Sequence, residues 1–179
     1  ELEEGIGCEQ SGEHIYDVWG HLLYAVQHSA DKNWPLEIRL AALFHDIGKP
    51  RSRRLALPAL TKNSDAFALG DKRTGDPRRV EFLSGRANTV SAKKKYTFYG
   101  HEVISARMAK KIMEKLKFPK KEIELVEKLV RNHMFFSDTE LITLSAVRRI
   151  ITKVGAENIW LLMNVRECDR VGMKKKEAP

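Results

Sequence analysis

A histidine and an aspartate stand side by side at the end of an apolar run, in Leu40-Ala-Ala-Leu-Phe-His-Asp-Ile-Gly-Lys-Pro50. Burying either His45 or Asp46 costs free energy unless another group pairs with it. A divalent metal ion is the common partner that takes both an imidazole and a carboxylate. The sequence therefore predicts a metal centre. Further candidate ligands of the same two kinds are His21, His101, His133 and Asp169.

The candidate ligands fall on the apolar faces of predicted helices. His21 follows Val18 by three positions, and Asp169 continues the apolar stripe of Leu162. A single histidine that faces the interior usually finds a hydrogen-bond partner within an ordinary core. Several such histidines and carboxylates on separate helices, however, all need partners at the same time. A metal centre would satisfy them all. For His101 and His133 there is an alternative interpretation, in which they orient other ligands or bind substrate.

The elements that must position these residues are mainly α-helical. Outside Arg51–Lys95, apolar residues recur three and four positions apart. The spacing predicts helices over residues 16–29, 35–47, 100–116, 119–134, 141–154 and 159–171. Gly48-Lys49-Pro50 is expected to end the second helix. A long basic loop or a small β-hairpin is expected at about residues 55–95, with weak alternation at Val80–Leu83.

Length and composition favour one domain over residues 1–179. The chain has 179 residues, with 42% hydrophobic and 31% charged residues, which is typical of a globular protein. No apolar run is long enough for a membrane span, and no signal peptide is evident. Cys8 and Cys168 lack metal-ligand spacing and are expected to be reduced thiols, which favours a cytoplasmic protein. Because the first residue is Glu1, we expect a fragment of a longer protein, or a partner to one.

The positive charge is concentrated in one segment. Lys49–Lys95 holds 13 of the 32 basic residues and only 4 of the 24 acidic ones, so the rest of the chain carries nearly balanced charge. Such a segment suits a phosphate-rich partner, because each neutralised phosphate releases counterions. A solvated loop kept soluble by its lysines is the alternative. The charge thus favours a nucleotide or an RNA partner without identifying it.

Several motifs resemble those of a known family. The order His21, His45-Asp46, His101, His133, Asp169 is similar to the HD superfamily of metal-dependent phosphohydrolases. Their flanks resemble the HD region of bacterial tRNA nucleotidyltransferase and poly(A) polymerase-type proteins, over nearly the whole chain except about residues 55–92. The segments that carry this likeness are Gly5–Gln10, His14–His21, Leu40–Pro50, Thr97–Glu102 and Leu129–Met134.

The resemblance implies an HD-domain helical bundle with metal ions between its helices. It implies that His21, His45, Asp46 and Asp169 hold a first ion. It also implies that Asp46 bridges to a second ion, bound by His101 and His133. A metal pair of this kind activates water for attack on phosphorus. Because no thiolate belongs to the set, one or two ions of Mn, Fe, Co, Ni, Mg or Zn are expected rather than a structural zinc.

Basic residues near the His-Asp pair are candidates for binding substrate phosphate. Lys49 is expected to bind a non-bridging phosphate oxygen and to act in catalysis with Asp46, the alternative being a surface lysine at a helix C-terminus. Arg51, Arg53 and Arg170 are further candidates. No general acid for the leaving group can be named from the sequence.

The leading functional hypothesis is a metal-dependent phosphodiesterase or phosphatase. Its expected substrates are nucleotide or RNA-terminal phosphates, such as 2′,3′-cyclic phosphates on a tRNA-like RNA. A positioning module that binds RNA for a tRNA nucleotidyltransferase, with a structural metal site, is the alternative. Nucleotidases and hydrolases of alarmones or dinucleoside polyphosphates are further alternatives. The polymerase motifs of the resembling family are absent, so any nucleotide addition would need a separate nucleotidyltransferase domain or subunit.

Overall fold

The computed structural model describes residues 1–11, 14–56, 96–136 and 142–173. These residues are mainly helical, as predicted. The α-helices are α1 (Val18–Asp31), α2 (Leu36–Phe44), α3 (Lys49–Ser52), α4 (His101–Lys115), α5 (Lys120–Asn132), α6 (Leu144–Val154) and α7 (Ile159–Met173). Short 3₁₀ turns occupy Glu3–Gly5, His133–Phe136 and Ala156–Asn158, and strand β1 (Arg54–Leu55) pairs with strand β2 (Tyr96–Thr97).

The helices pack around one core. Helix α1 lies against α2 and α7, α2 also contacts α5 and α7, and α4 lies against α5. Each of these five helices contributes a fully buried large side chain: Leu22, Ile38, Met113, Leu129 and Leu162. Each such side chain stabilises the fold by roughly 2 kcal/mol relative to exposure. None of the helices in the described ranges combines the length and apolar character that crossing a bilayer requires.

The second predicted helix is interrupted. Helix α2 ends at Phe44, and a new short helix, α3, begins at Lys49 with Gly48 before it and Pro50 in its first turn. A proline is well placed there, because its missing N–H group would have no helical partner at that position. The prediction that this helix runs to about residue 47 and stops at Gly48-Lys49-Pro50 was therefore wrong: it ends at Phe44, and Gly48-Lys49-Pro50 begins the next helix. Lys49 begins a helix, and it is buried rather than at the surface.

Contacts divide the chain into two units, residues 1–54 with 96–179 and residues 55–95. The first unit holds all of the α-helices named above. The second unit is the predicted basic loop or hairpin, including Val80–Leu83, and it lies outside the described residues except for Leu55 and Ala56. The assignment of residues 1–179 to one domain remains a prediction.

Candidate metal centre

Five helices or their ends deliver the six predicted ligands to one place. His21 lies within α1 and Asp169 within α7. The other four lie at or beyond helix termini: His45 and Asp46 after α2, His101 at the start of α4 and His133 directly after α5. All six residues are buried, with His101 the most exposed at 8%. The structure thus brings together every residue that the sequence predicted as a metal ligand.

Four of these residues form a first donor group. His21 Nε2 lies 2.9 Å from His45 Nε2, 3.2 Å from Asp46 Oδ2 and 3.2 Å from Asp169 Oδ1. His45 Nε2 lies 3.3 Å from Asp46 Oδ2 and 3.5 Å from Asp169 Oδ1. Ligand atoms bound at about 2.1 Å to one divalent ion stand roughly 3 Å apart. The donor spacing therefore fits one shared ion.

A second donor group shares Asp46 with the first. Asp46 Oδ1 lies 3.2 Å from His101 Nε2 and 3.8 Å from His133 Nε2. The two imidazole nitrogens are 3.4 Å apart. The carboxylate of Asp46 therefore presents Oδ2 to one donor group and Oδ1 to the other, which is the arrangement needed to bridge two ions.

Three of the imidazoles are oriented by the same local hydrogen bond. Nδ1 of His45, His101 and His133 each donates to the backbone carbonyl three residues earlier, at 2.7–2.8 Å. In the neutral ring this bond leaves Nε2 as the unprotonated nitrogen, directed at the donor groups, which is the tautomer that a metal ligand requires. Sequence spacing does not predict this hydrogen bond, because the bond depends on the backbone turn at each helix end.

His21 is held differently. Its Nδ1 is buried and makes no hydrogen bond within the described residues. Gly172 of α7 lies against this ring, and a Cβ atom there would come within 2.7 Å of His21 Nδ1. Only a residue without a side chain therefore lets α7 approach α1 closely enough for Asp169 to reach His21.

The two carboxylates are charged at neutral pH. Burial on its own raises the pKa of Asp46, but the charges of Lys49 and His45 and the nearby imidazoles hold that pKa well below its usual range. Burial likewise raises the pKa of Asp169, and its contacts with His21 and His45 outweigh this and lower the pKa. Both side chains therefore present the deprotonated form that binds a cation.

The histidines carry different charges. Burial lowers the pKa of His45, yet the charge of Asp46 and contacts with both carboxylates raise it to about 10. Burial and the nearby charge of His45 lower the pKa of His133 to about 3, so His133 is neutral at pH 7. Metal ligation requires neutral imidazoles, so cation binding displaces the proton of His45.

The donor set passes a direct test of whether it suits a metal ion. Both oxygens of Asp46 are buried; Lys49 Nζ lies 2.6 Å from Oδ2, whereas Oδ1 accepts no hydrogen bond within the described residues. A buried oxygen left in this way costs free energy. A metal ion at the shared carboxylate would supply the interaction that Oδ1 lacks. Neither cysteine competes for it, since Cys8 and Cys168 are free, buried thiols outside both donor groups.

Lys49 is part of the same cluster. Its Nζ lies 2.6 Å from Asp46 Oδ2 and donates to Gln10 Oε1 at 2.6 Å, while Gln10 Nε2 donates to the carbonyl of Tyr16. Sequence reasoning missed Gln10, because no local spacing relates it to a lysine 39 positions later. It also missed Arg166, whose Nη1 donates to Asp169 Oδ2; the three-residue spacing on one helix was the signal that could have found it.

The other predicted phosphate-binding residues are not brought into the donor groups. Arg51 makes a two-point ion pair with Glu4, at 2.9 and 2.7 Å. The guanidinium of Arg53 lies 3.7 Å from the centre of the Tyr96 ring. Arg170 is exposed, although it follows Asp169 directly. Their roles in substrate binding remain predictions.

The fold and the site together define a helical, metal-dependent hydrolase domain. A family profile described as "HD domain" matches residues 12–173. The chain therefore belongs to the HD domain family of metal-dependent phosphohydrolases.

Curated relatives place the chain beside RNA-processing enzymes. The chain is 34% identical over 139 residues to the CC-adding tRNA nucleotidyltransferase of Thermus thermophilus, covering 75% of this chain and 24% of that protein. It is 30% identical over 136 residues to the A-adding tRNA nucleotidyltransferase of Deinococcus radiodurans, with the same coverage. It is 22% identical over 178 residues to the Multifunctional CCA protein of Azoarcus sp., covering 96% of this chain and 34% of that protein. The chain thus spans a quarter to a third of these relatives, and no solved structure matches it.

Proposed function

We propose that this chain hydrolyses phosphate esters at nucleotide or RNA termini, 2′,3′-cyclic phosphates among them, with divalent metal ions. The observation that carries the proposal is the pair of buried donor groups sharing Asp46, with the ammonium of Lys49 beside the shared carboxylate. A purely structural ion needs one closed donor set, whereas two adjoining sets are suited to phosphoryl chemistry.

The residues divide into clear roles under this proposal. One ion would be held by the first donor group, and a second by the group containing His101 and His133. When bound, such ions acidify water and offset the negative charge of a phosphate. Asp46 would contribute to holding both ions, because it belongs to both donor groups. The identity of the metal is open among Mn, Fe, Co, Ni, Mg and Zn, because nitrogen and oxygen donors suit each of them.

Lys49 would bind the substrate phosphate. Its side chain is buried, and its partners are one carboxylate and the neutral amide of Gln10. The amide holds the ammonium in place without neutralising it. Lys49 Nζ lies 2.6 Å from Asp46 Oδ2, so the ammonium would become available to a phosphate oxygen once a metal ion offsets the charge of Asp46.

Gln10→Ala is expected to raise KM for a phosphodiester by about tenfold with a smaller change in kcat, the effect of losing one charge-positioning hydrogen bond. Steady-state kinetics measure this. Glu4→Gln is the matched control, because it breaks the ion pair of Arg51 with the same N-terminal segment but leaves Lys49 alone. Equal effects of both variants would mean that Gln10 only anchors the segment.

His101→Ala is expected to reduce bound metal from about two ions per chain to about one, because it removes one donor of the second group only. Hydrolysis should fall with it, whereas His21→Ala should disturb the first group instead. Elemental analysis of the purified variants measures the stoichiometry. A His101→Ala protein that keeps both ions and full turnover would contradict the assignment of the second group.

An RNA-positioning module is the second candidate, supported by a specific observation. Three curated relatives are named for adding nucleotides to tRNA or for CCA, and the chain spans only part of each. In that case a nucleotidyltransferase domain or subunit would do the chemistry, and the metal site would be structural. A tRNA-like substrate and a cytoplasmic location remain predictions in either case.

Neutralising Lys93-Lys94-Lys95 with glutamines is expected to weaken RNA binding and its salt dependence while sparing hydrolysis of a small phosphodiester. These residues lie outside the described ranges, so the expectation rests on charge alone. Filter binding with a tRNA-like RNA at two salt concentrations measures it. Unchanged RNA affinity at moderate salt would exclude this lysine run as the RNA contact.

A further inference from the structure

The two oxygens of Asp169 face different partners. Oδ1 lies 3.2 Å from His21 Nε2 and 3.5 Å from His45 Nε2, so it belongs to the first donor group. Oδ2 accepts a hydrogen bond from Arg166 Nη1. One oxygen is therefore offered to the donor group, and the other is occupied by a guanidinium.

The contact with Arg166 is local to α7. Arg166 and Asp169 stand three positions apart on that helix, so no other element is needed to bring them together. Both side chains are largely shielded from solvent, at 14% and 5% exposure. A charge-assisted hydrogen bond at a shielded site restrains the carboxylate more than an exposed one would, because little water competes for it.

A basic residue also lies beside the other carboxylate, although there it contacts the oxygen that faces the first donor group. Lys49 stands three positions after Asp46, and its Nζ lies 2.6 Å from Asp46 Oδ2. Each buried carboxylate thus has one basic residue within a helical turn. Two carboxylates that face the same imidazoles repel each other, and a cation beside each reduces that repulsion.

We propose that Arg166 is a positioning residue that holds Asp169 as a one-oxygen donor directed at His21 and His45. This inference rests on the metal binding contained in the proposed function. Arg166 acts through Asp169 and makes no contact with the imidazoles in the described structure. Groups that orient a metal ligand in this way commonly contribute about 10- to 100-fold to metal affinity.

Arg166→Gln is the test, with Mn²⁺ as the probe and metal-stripped protein as the starting material. Free Mn²⁺ is followed by electron paramagnetic resonance during titration, which needs no substrate or turnover. We expect Arg166→Gln to weaken the tighter Mn²⁺ binding by about 10- to 100-fold. Arg166→Lys should restore part of the loss, since an ammonium can still donate to Oδ2.

Arg170→Gln is the matched control, because Arg170 is exposed on the same helix beside Asp169. It should bind Mn²⁺ as the wild type does. Equal affinities of Arg166→Gln and the wild type would overturn the inference, as would equal losses in Arg166→Gln and Arg170→Gln. If Arg166→Gln does not fold, the Mn²⁺ titration of Arg166→Lys is the test instead. Wild-type Mn²⁺ affinity in Arg166→Lys would then contradict the proposal that the guanidinium orients Asp169. A wild-type protein that binds no Mn²⁺, Co²⁺ or Ni²⁺ would instead overturn the proposed function, and this inference with it.

Discussion

Asp46→Ala is expected to abolish metal binding and hydrolysis together. Asp46 is the one residue that belongs to both donor groups, and its two oxygens approach imidazoles on either side at 3.2–3.8 Å. Removing both oxygens leaves each group short of a donor and leaves Lys49 without its carboxylate. Loss of a residue on which a whole site depends commonly lowers turnover by more than about 10³-fold.

The measurement pairs metal content per chain with turnover of a 2′,3′-cyclic nucleotide. Asp46→Asn serves as a second variant of the same shape, in case the cavity left by alanine disturbs packing. Asp31→Asn is the control, since Asp31 is an exposed carboxylate at the end of α1. Full activity in Asp46→Ala would refute the assigned mechanism.

Gly48→Ala is expected to destabilise the fold by about 2–3 kcal/mol, the cost of overpacking a rigid site. A Cβ atom at Gly48 would lie 2.6 Å from the backbone nitrogen of Ser105, 2.8 Å from the carbonyl oxygen of His101 and 2.9 Å from Ile104 Cβ. Backbone atoms cannot move aside as a flexible side chain can. The helix α4 must therefore shift, which also breaks the 2.9 Å hydrogen bond from Gly48 N to Ser105 Oγ.

A shift of α4 carries His101 away from Asp46, so Gly48→Ala should also lose the second metal ion. Urea unfolding and elemental analysis measure the two effects. Gly7→Ala is the control: nothing lies within 4 Å of its added Cβ, and only its φ of +68° penalises a side chain, at about 1 kcal/mol. A Gly48→Ala protein within about 0.5 kcal/mol of the wild type would contradict this account of the α3–α4 contact.

Much of the site could be predicted from the sequence because its residues obey helix periodicity. His21 and Asp169 lie inside long helices, where a spacing of three or four residues reports directly which face is buried. His45 and His133 lie just beyond helix ends, and the apolar stripes of α2 and α5 still pointed to them. The convergence of these side chains was predictable because buried polar groups need partners; their role as metal ligands stays a prediction.

Contacts between distant segments could not be predicted in this way. Arg51 looked free to bind phosphate, yet it pairs with Glu4, 47 residues earlier in the chain. Gln10 reaches Lys49 only because the N-terminal segment folds back on α1 and α3. Of two arginines near Asp169, the adjacent Arg170 points to solvent, whereas Arg166 makes the contact. The three-residue spacing of a helix therefore indicates the partner of Asp169 better than adjacency in the sequence does.

The fold class was predicted correctly, but the end of the second helix was not. Pro50 stands two positions after Gly48, and a glycine followed closely by a proline is typical of a helix end. The same proline is equally suited to a first helical turn, which is the position that it takes in α3. Local propensity did not distinguish the two cases.

The most direct test of a paired metal centre is reconstitution of the wild-type protein. The protein is stripped with a chelator and reloaded with Mn²⁺, and metal per chain is measured beside hydrolysis of a 2′,3′-cyclic nucleotide. We predict about two ions per chain and turnover that is lost with the chelator and restored by the metal. One ion or none, with no turnover after Mn²⁺, Co²⁺ or Ni²⁺ is added back, would contradict the account and favour an RNA-positioning module.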